Sequence, residues 1–377
     1  MRIGFDGKRA VQNFTGLGNY SRYVADILCH FYPENDYVLY APKKRENKRM
    51  NLLTGQYRQL TLAYPATFFW KKLSSLWRVW GITSQLEKEG IELFHGLSNE
   101  LPLNIHKSRI KSIVTIHDLI FLRYPQYYQS IDRKIYTYKF RKACENADKI
   151  IAISECTKRD IIRYFNIPDD KIEVVYQGCD VSFTHPVTEE KKEEVRKKYQ
   201  LPDHYILNVG SIEERKNILA AVQALPMLPQ HIHIVIVGRR TGYTEKVEQF
   251  IKDNGLGERV HIISNVPFND LPAFYQLAEI FVYPSRFEGF GIPIIEALYS
   301  GTPVVAATGS CLGEAGGPDS IYVNPDDITG LADAFKQIYS NSDKRKNMVE
   351  KGREFAKRFS EKQQSEEIIN IYKKLIR

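Results

Sequence analysis

Two carboxylates eight positions apart, Glu288 and Glu296, bracket the glycine-rich run Gly289-Phe290-Gly291. Phe281-Val282-Tyr283 reads as the end of a strand, Pro293 suits the first helical turn, and Gly301 is placed to stop the helix. A turn of this kind aims backbone amides and the positive end of a helix dipole at one spot, where a phosphate or a sugar hydroxyl could be held. Glu288, set among an aromatic and two glycines, serves no evident strand, cap or core and reads as functional. Glu296, one turn inside the helix, fits either a ligand contact or simple dipole compensation. Arg215 and Lys216 follow Gly210-Ser211 and precede Asn217, which reads as a helix cap. Adjacent cations on a loop are often only solvated, but this placement suits a phosphate.

Three further segments carry weaker signals. Gly16-Leu17-Gly18 precedes a helix expected over Tyr20-Phe31, so its amides either reach a diphosphate or merely make a tight helix start. It is not a dinucleotide fingerprint, because the glycines trail the first strand by some ten residues and the third glycine is replaced. His117-Asp118 closes the strand Ser112-Ile116, where a lone histidine is commonly just a satisfied polar residue. In Phe68-Trp80, helical spacing lines up Phe69, Leu73, Leu76 and Trp80, with Lys71, Lys72 and Arg78 beside them. That stripe either packs on a sheet or lies in an anionic membrane interface.

These groups need a scaffold that brings them together. At 377 residues with 43% hydrophobic content, the chain suits two domains. Strands are expected at Ile3-Phe5, Tyr37-Tyr40, Gln59-Ala63, Leu93-Phe94, Ser112-Ile116, Ile150-Ile153 and Ile172-Val175, then at Tyr205-Val209, Ile232-Val237, Val260-Ile263, Ile280-Tyr283, Val304-Ala306 and Ser320-Val323. Amphipathic segments alternate with them, the pattern of parallel sheets covered on both faces. The break falls in Asp180-Gln200, where a solvated helix begins at Glu189. Strand ends carry Asp6-Gly7, His95-Gly96, His117-Asp118, Ser154, Gly178, Gly210, Gly238 and Ser285, the rim at which open parallel sheets bind ligands.

No Asp-x-Asp and no cluster of metal ligands occurs, and the five scattered cysteines indicate neither a disulfide framework nor a zinc site. A net charge of +8 and a pI near 9.0 favour an acidic partner, but no basic stripe with interleaved aromatics points to nucleic acid. Neither a leader segment nor an apolar run of spanning length is evident, which gives a cytoplasmic expectation.

Glu288-x7-Glu296, Gly16-Leu17-Gly18-Asn19-Tyr20, His117-Asp118 and Arg215-Lys216-Asn217 together resemble the motifs of retaining glycosyltransferase family 4, the group 1 glycosyltransferases, in the same order and spacing over almost the whole chain. The resemblance implies an α/β GT-B fold, two Rossmann-like domains with parallel sheets facing across a cleft. Residues 1–180 would form the acceptor-side domain, 181–358 the nucleotide-sugar domain, and 359–377 a helix packing back on the first. It implies transfer of a hexose with retention and no cofactor, and it does not identify the sugar, for which a mannose or glucose type is expected; metal independence is expected because Asp-x-Asp is missing and Arg215 and Lys216 can take its place. The donor would be a nucleotide-diphosphate sugar and the acceptor a glycan or polyprenyl-linked glycan, in cell-surface polysaccharide synthesis. Glu288, His117, Arg215 and Lys216 would be catalytic. Gly16, Gly18, Asp118, Gly210, Phe290, Gly291 and Glu296 would bind donor, with Glu296 on the ribose. The enzyme would be cytoplasmic, with the Phe68-Trp80 segment as its contact to the inner face of the membrane. A GT-B-like nucleotide-sugar epimerase and a non-catalytic sugar-nucleotide-binding protein are the alternative readings.

Overall fold

The computed structural model describes residues 1–376, which form two compact units. One unit comprises Met1–Gln177 with Glu361–Arg377, and the other Gly178–Ser360.

The first unit holds a seven-stranded parallel sheet: β1 (Arg2–Asp6), β2 (Asp36–Tyr40), β3 (Leu60–Ala63), β4 (Leu93–Gly96), β5 (Lys111–Ile116), β6 (Lys149–Ala152) and β7 (Ile172–Val174). Its order is β3-β2-β1-β4-β5-β6-β7. β1 lies in register with β2 through Phe5↔Leu39 and with β4 through Phe5↔His95. The order reverses direction between β1 and β4, which makes that gap the switch point where ligands of such sheets bind. Two apolar clusters cover the faces. One includes Val24 and Leu28 of the helix Gly16–Phe31 together with Ile368, Ile369 and Tyr372 of the helix Glu361–Ile376, so the end of the chain completes the core of this unit.

The second unit repeats the plan with β8 (Tyr205–Val209), β9 (His233–Val237), β10 (Val260–Ile263), β11 (Ile280–Tyr283), β12 (Val304–Ala307) and β13 (Ile321–Val323), in the order β10-β9-β8-β11-β12-β13. Its switch point lies between β8 and β11. Runs such as His-Ile-Val-Ile-Val in β9 are apolar at nearly every position because both sheet faces are covered. All thirteen expected strands form, with ends displaced by at most a residue or two.

Three local expectations fail. The helix expected from Tyr20 begins at Gly16, so the two glycines lie in its first turn. A side chain on Gly18 would come within 2.0 Å of the Asn13 carbonyl oxygen, and the Gly18 amide donates to Asn13 Oδ1 at 3.2 Å. Gly18 is there to let that turn close. Asn217 does not cap the helix Ile218–Ala224. It sits in the left-handed region at φ 55°, and its amide donates to the carbonyls of Pro284 at 3.3 Å and Pro325 at 2.8 Å, tying two loops together.

The Phe68-Trp80 segment is not one helix. It runs as Phe68–Lys72, Ser74–Leu76 and a π-helical turn Trp77–Gly81. The widened turn follows from opposite demands on one segment. Phe69, Leu73, Leu76 and Trp80 are exposed, whereas Trp77 is fully buried and donates to Gln85 Oε1. Arg78 turns inward to Asp6 and Glu100, so neither it nor Trp77 belongs to an outer face. Gly81 lacks the side chain that would collide with the Trp70 ring.

Candidate functional site

At the switch point of the second unit, β8 ends in Val209, just before Gly210, and β11 in Tyr283, and the loops after them carry Arg215-Lys216 and Ser285-Glu288. Four polar groups converge there. Glu288 Oε2 pairs with Arg215 Nη1 at 2.9 Å, while Oε1 accepts from Ser285 Oγ at 2.8 Å and Tyr283 Oη at 3.2 Å. Arg215 Nη1 also donates to the Phe287 carbonyl, and the Arg286 amide donates to the Arg215 carbonyl at 2.9 Å. The two loops are therefore laced together by side chain and main chain. The ion pair is largely enclosed, with 15% and 13% of the two side chains exposed. Burial pushes the Glu288 carboxyl up, but the charges of Lys216 and Arg215 and the bonds from Ser285 and Arg215 outweigh it and hold the group below the ordinary carboxylate range.

Lys216 stands differently. Its Nζ lies 3.5 Å from Tyr283 Oη and 5.8 Å from the centre of that ring, and among the described residues it has no carboxylate partner. Gly210, at φ 149°, makes room for it, since a side chain there would fall 2.8 Å from Lys216 Nζ. The site thus holds a cation that acts on Glu288 through its charge without forming an ion pair among the described residues.

The glycine-rich turn is built as its sequence suggests. Gly291 takes φ 129° at the head of the helix Ile292–Ser300, Pro293 occupies the first turn, and Gly301 ends the helix at φ 77°. The Phe290 ring is buried against Phe359, and Cys311 Sγ lies 3.0 Å from the Glu288 carbonyl and 2.9 Å from that of Phe290. Glu296 faces a separate partner, accepting at Oε2 from Tyr275 Oη at 2.6 Å. Burial raises its carboxyl to about 7, with Asp180 adding to the rise and Tyr275 opposing it. Among the described residues the two carboxylates share no hydrogen-bond partner.

His117, Asp118, Gly16 and Gly18 belong to the first unit. His117 follows β5 and is 6% exposed. Its Nε2–H donates to the Leu97 carbonyl at 2.9 Å, and Gln177 Nε2 donates to its Nδ1 at 3.2 Å. Burial lowers its pKa to about 4, so the imidazole is neutral, and the Tyr20 ring meets it edge-on at 4.6 Å. Both ring nitrogens are engaged, and the backbone carbonyl accepts from Thr157 Oγ1 at 3.3 Å. Asp118 accepts the Ile120 amide at 3.1 Å and orders the start of a short helix. Gly16 heads its helix with open space where a side chain would be.

Of the residues that hold the carboxylates, the sequence marks Ser285 and Tyr283 only as strand-end positions and gives no sign of Tyr275. Ser285 stands three positions before Glu288, a recognisable Ser-x-x-Glu spacing. Tyr275 lies on a separate helix, Leu271–Leu277, and no local signal ties it to Glu296. Among the described residues no group of three His, Cys, Asp or Glu is placed to hold a metal ion.

Residues 21–183 match the model of Glycosyltransferase Family 4 and residues 189–355 that of Glycosyl transferases group 1. O-antigen chain mannosyltransferase B of Escherichia coli is 31% identical over 289 residues, spanning 75% of this chain and 74% of that protein. The O-antigen chain mannosyltransferase RfbU of Salmonella typhimurium is 29% identical over 225 residues, 60% of each chain. In structure, Anabaena HepE in complex with UDP superposes with a TM-score of 0.79 at 17% identity, covering all of both chains. The chain belongs to the group 1 glycosyltransferases, with the two Rossmann-like domains of the GT-B fold.

Proposed function

We propose that this glycosyltransferase moves a hexose of mannose type, with retention and without a metal ion, from a nucleotide-diphosphate sugar to a glycan or polyprenyl-linked glycan in cell-surface polysaccharide synthesis. The sugar and the acceptor class are argued from the O-antigen mannosyltransferases it resembles. The observation that carries the reading is Lys216, a cation with no carboxylate partner among the described residues, beside the Arg215–Glu288 pair at a sheet switch point. As the donor bond breaks, charge grows on the leaving diphosphate. Lys216 and Arg215 stabilise that charge in place of a divalent ion, each worth several kcal/mol, about that of an oxyanion-hole donor. In the same reading Glu288 exchanges its bonds to Ser285 and Arg215 for hydroxyls of the donor sugar, and Glu296 accepts from the ribose. The turn at Phe290-Gly291 and the helix start at Gly16 offer amides to sugar and phosphate. The leaving phosphate takes the acceptor proton on the same face, and the His117 carbonyl supports the positive anomeric centre.

The test is a panel of nucleotide sugars with a lipid-linked glycan acceptor, read by proton resonance of the product in chelator. Retained anomeric configuration with undiminished turnover is expected. An inverted product removes the retention assignment, chelator-sensitive turnover restored by magnesium or manganese removes metal independence, and nucleotide-sugar interconversion without acceptor favours an epimerase.

The first unit adds a surface suited to an anionic bilayer. Phe68, Phe69, Leu73, Leu76 and Trp80 are exposed beside the exposed Lys71 and Lys72. The helix Ser130–Asn146, joined to this segment because Lys139 and Arg78 both meet Glu100, exposes Ile131, Ile135 and Tyr138 beside Lys134 and Arg141. Apolar groups flanked by cations are the composition that enters a headgroup layer.

A further inference from the structure

We propose that Tyr275 is a positioning residue that fixes which oxygen of Glu296 meets the donor's ribose. This rests on the ribose reading of Glu296 given above.

The geometry is a closed circuit between two helices. Tyr275, in Leu271–Leu277, donates from Oη to Glu296 Oε2 at 2.6 Å. Thr302 links back to both sides, with its Oγ1 donating to the Tyr275 carbonyl at 2.6 Å and its amide donating to the carbonyl of Ala297, the neighbour of Glu296, at 2.9 Å. The Tyr275 ring is fully buried, 5.5 Å from Phe183 and 5.2 Å from Phe281, so the hydroxyl has no other direction to point.

Two consequences follow from this circuit. First, Oε2 is committed to Tyr275, and Oε1 is the oxygen left to accept a ligand hydroxyl. Second, Tyr275 acts only as a donor. Burial and the adjacent Glu296 charge raise its own pKa well above the ordinary value, so the hydroxyl keeps its proton throughout the physiological range. A donor that never switches off lowers the pKa of the carboxylate it touches, and Tyr275 does so against the rise that burial imposes on Glu296. Without Tyr275 the carboxylate would be free to rotate and would hold its proton to higher pH, and both changes weaken acceptance from a hydroxyl.

The experiment uses the full chain and its Tyr275→Phe and Thr302→Val variants. Uridine, guanosine, cytidine and adenosine diphosphates are titrated by calorimetry, and the tightest binder is compared with its 2′,3′-dideoxy form at pH 6, 7 and 8. The wild type is expected to bind the dideoxy form at least about tenfold more weakly, the value of a hydrogen bond to a charged group. Tyr275→Phe is expected to narrow that gap to about threefold, with the midpoint of the pH dependence moved upward and kcat nearly unchanged while the donor KM rises. Thr302→Val keeps the ring and its hydroxyl, shifts the gap in the same direction, and serves if the phenylalanine variant unfolds. A wild-type gap that persists in both folded variants overturns the positioning role and leaves the ribose reading standing. No gap in the wild type, or no binding of any of the four diphosphates, overturns both.

Discussion

The two sheets place an arginine and a carboxylate at the same topological point, and use them in opposite ways. At the switch point of the first unit, Arg78 is enclosed between Asp6, at the end of β1, and Glu100, which follows β4, with Lys139 3.5 Å beyond Glu100. Burial alone would lower the pKa of Arg78, but the two carboxylates hold it above its ordinary value. Charge there is balanced and spent on structure. At the switch point of the second unit, Arg215 pairs with Glu288 at 2.9 Å and lies 3.7 Å from Glu213, while Lys216, whose charge also acts on Glu288, makes no ion pair of its own among the described residues. In the proposed function it is Lys216, outside any ion pair among the described residues, that meets a ligand. The same contrast separates His117, a neutral ring with both nitrogens engaged, from Glu288, a depressed carboxyl held by Arg215, Ser285 and Tyr283. Equal folds therefore do not imply equal chemistry, and the division is decided by whether the ion cluster closes on itself.

The largest expected effect tests that division through stability. Arg78→Ala leaves Asp6 and Glu100 enclosed without their shared cation and should cost roughly 3–5 kcal/mol. For a unit of this size each kcal/mol lowers the melting temperature by about 2–4 °C. Arg215→Ala should cost far less, because Ser285, Tyr283 and Lys216 remain to hold Glu288. Calorimetric unfolding of both variants decides it, and equal losses would erase the distinction between a structural and an addressable cluster.

In activity the ranking should reverse. Glu288→Gln and Arg215→Ala are each expected to reduce transfer by at least roughly a hundredfold while the melting profile stays near wild type, since each removes a contact that strengthens in the transition state. Lys216→Ala should follow with a smaller loss. Full turnover in any of these folded variants would return its residue to the ordinary surface.

Much of this contrast was legible in the sequence, and the remainder hides for a physical reason. Strand positions followed from apolar runs, and Gly291 and Gly301 marked turns that only glycine adopts easily. Glu288, Arg215 and Lys216 stand out because charged residues near glycines after strand ends have few structural uses. Asp6 was visible only as a polar strand end. Its partner lies 72 positions away and was read as a surface cation, because helical spacing cannot foresee a π-helical turn that rotates Arg78 and Trp77 inward. Tyr275 and Gln177 were invisible for a related reason. A hydrogen bond across 21 or 60 positions leaves no periodic trace.

A third test asks whether the first unit, having closed its charge inward, works through its outer apolar surface. Lys71 and Lys72 flank that surface, and each basic residue near an anionic bilayer is worth about 1 kcal/mol. Wild-type protein should sediment with phosphatidylglycerol-containing liposomes at low salt and less so at high salt. Lys71→Glu/Lys72→Glu and Trp80→Ala should each weaken this, while Trp77→Phe should not, because Trp77 is internal. Wild-type protein that stays in the supernatant at low salt would show the exposed side chains to be mere surface.

The smallest effect separates the two carboxylates of the second unit by the sign of their pH dependence. Glu296 titrates near 7 in the folded chain against an ordinary value of 4.5, chiefly through burial. Between those values the folded chain holds a proton that the unfolded chain has released, so this group's contribution to stability falls as pH rises from about 4.5 to 7. Glu288 is depressed, so its contribution is present above its ordinary value and is lost as pH falls through the lower folded value, in acid. Urea unfolding from pH 6 to 8 should therefore show Glu296→Gln gaining on the wild type as pH rises, by on the order of 1 kcal/mol, with the gain complete just above neutrality. Glu288→Gln should show no such gain in that range. If the Glu296→Gln difference is flat from pH 6 to 8, Glu296 is ionised throughout that range, and the second unit holds two charged carboxylates rather than one charged and one poised at neutrality.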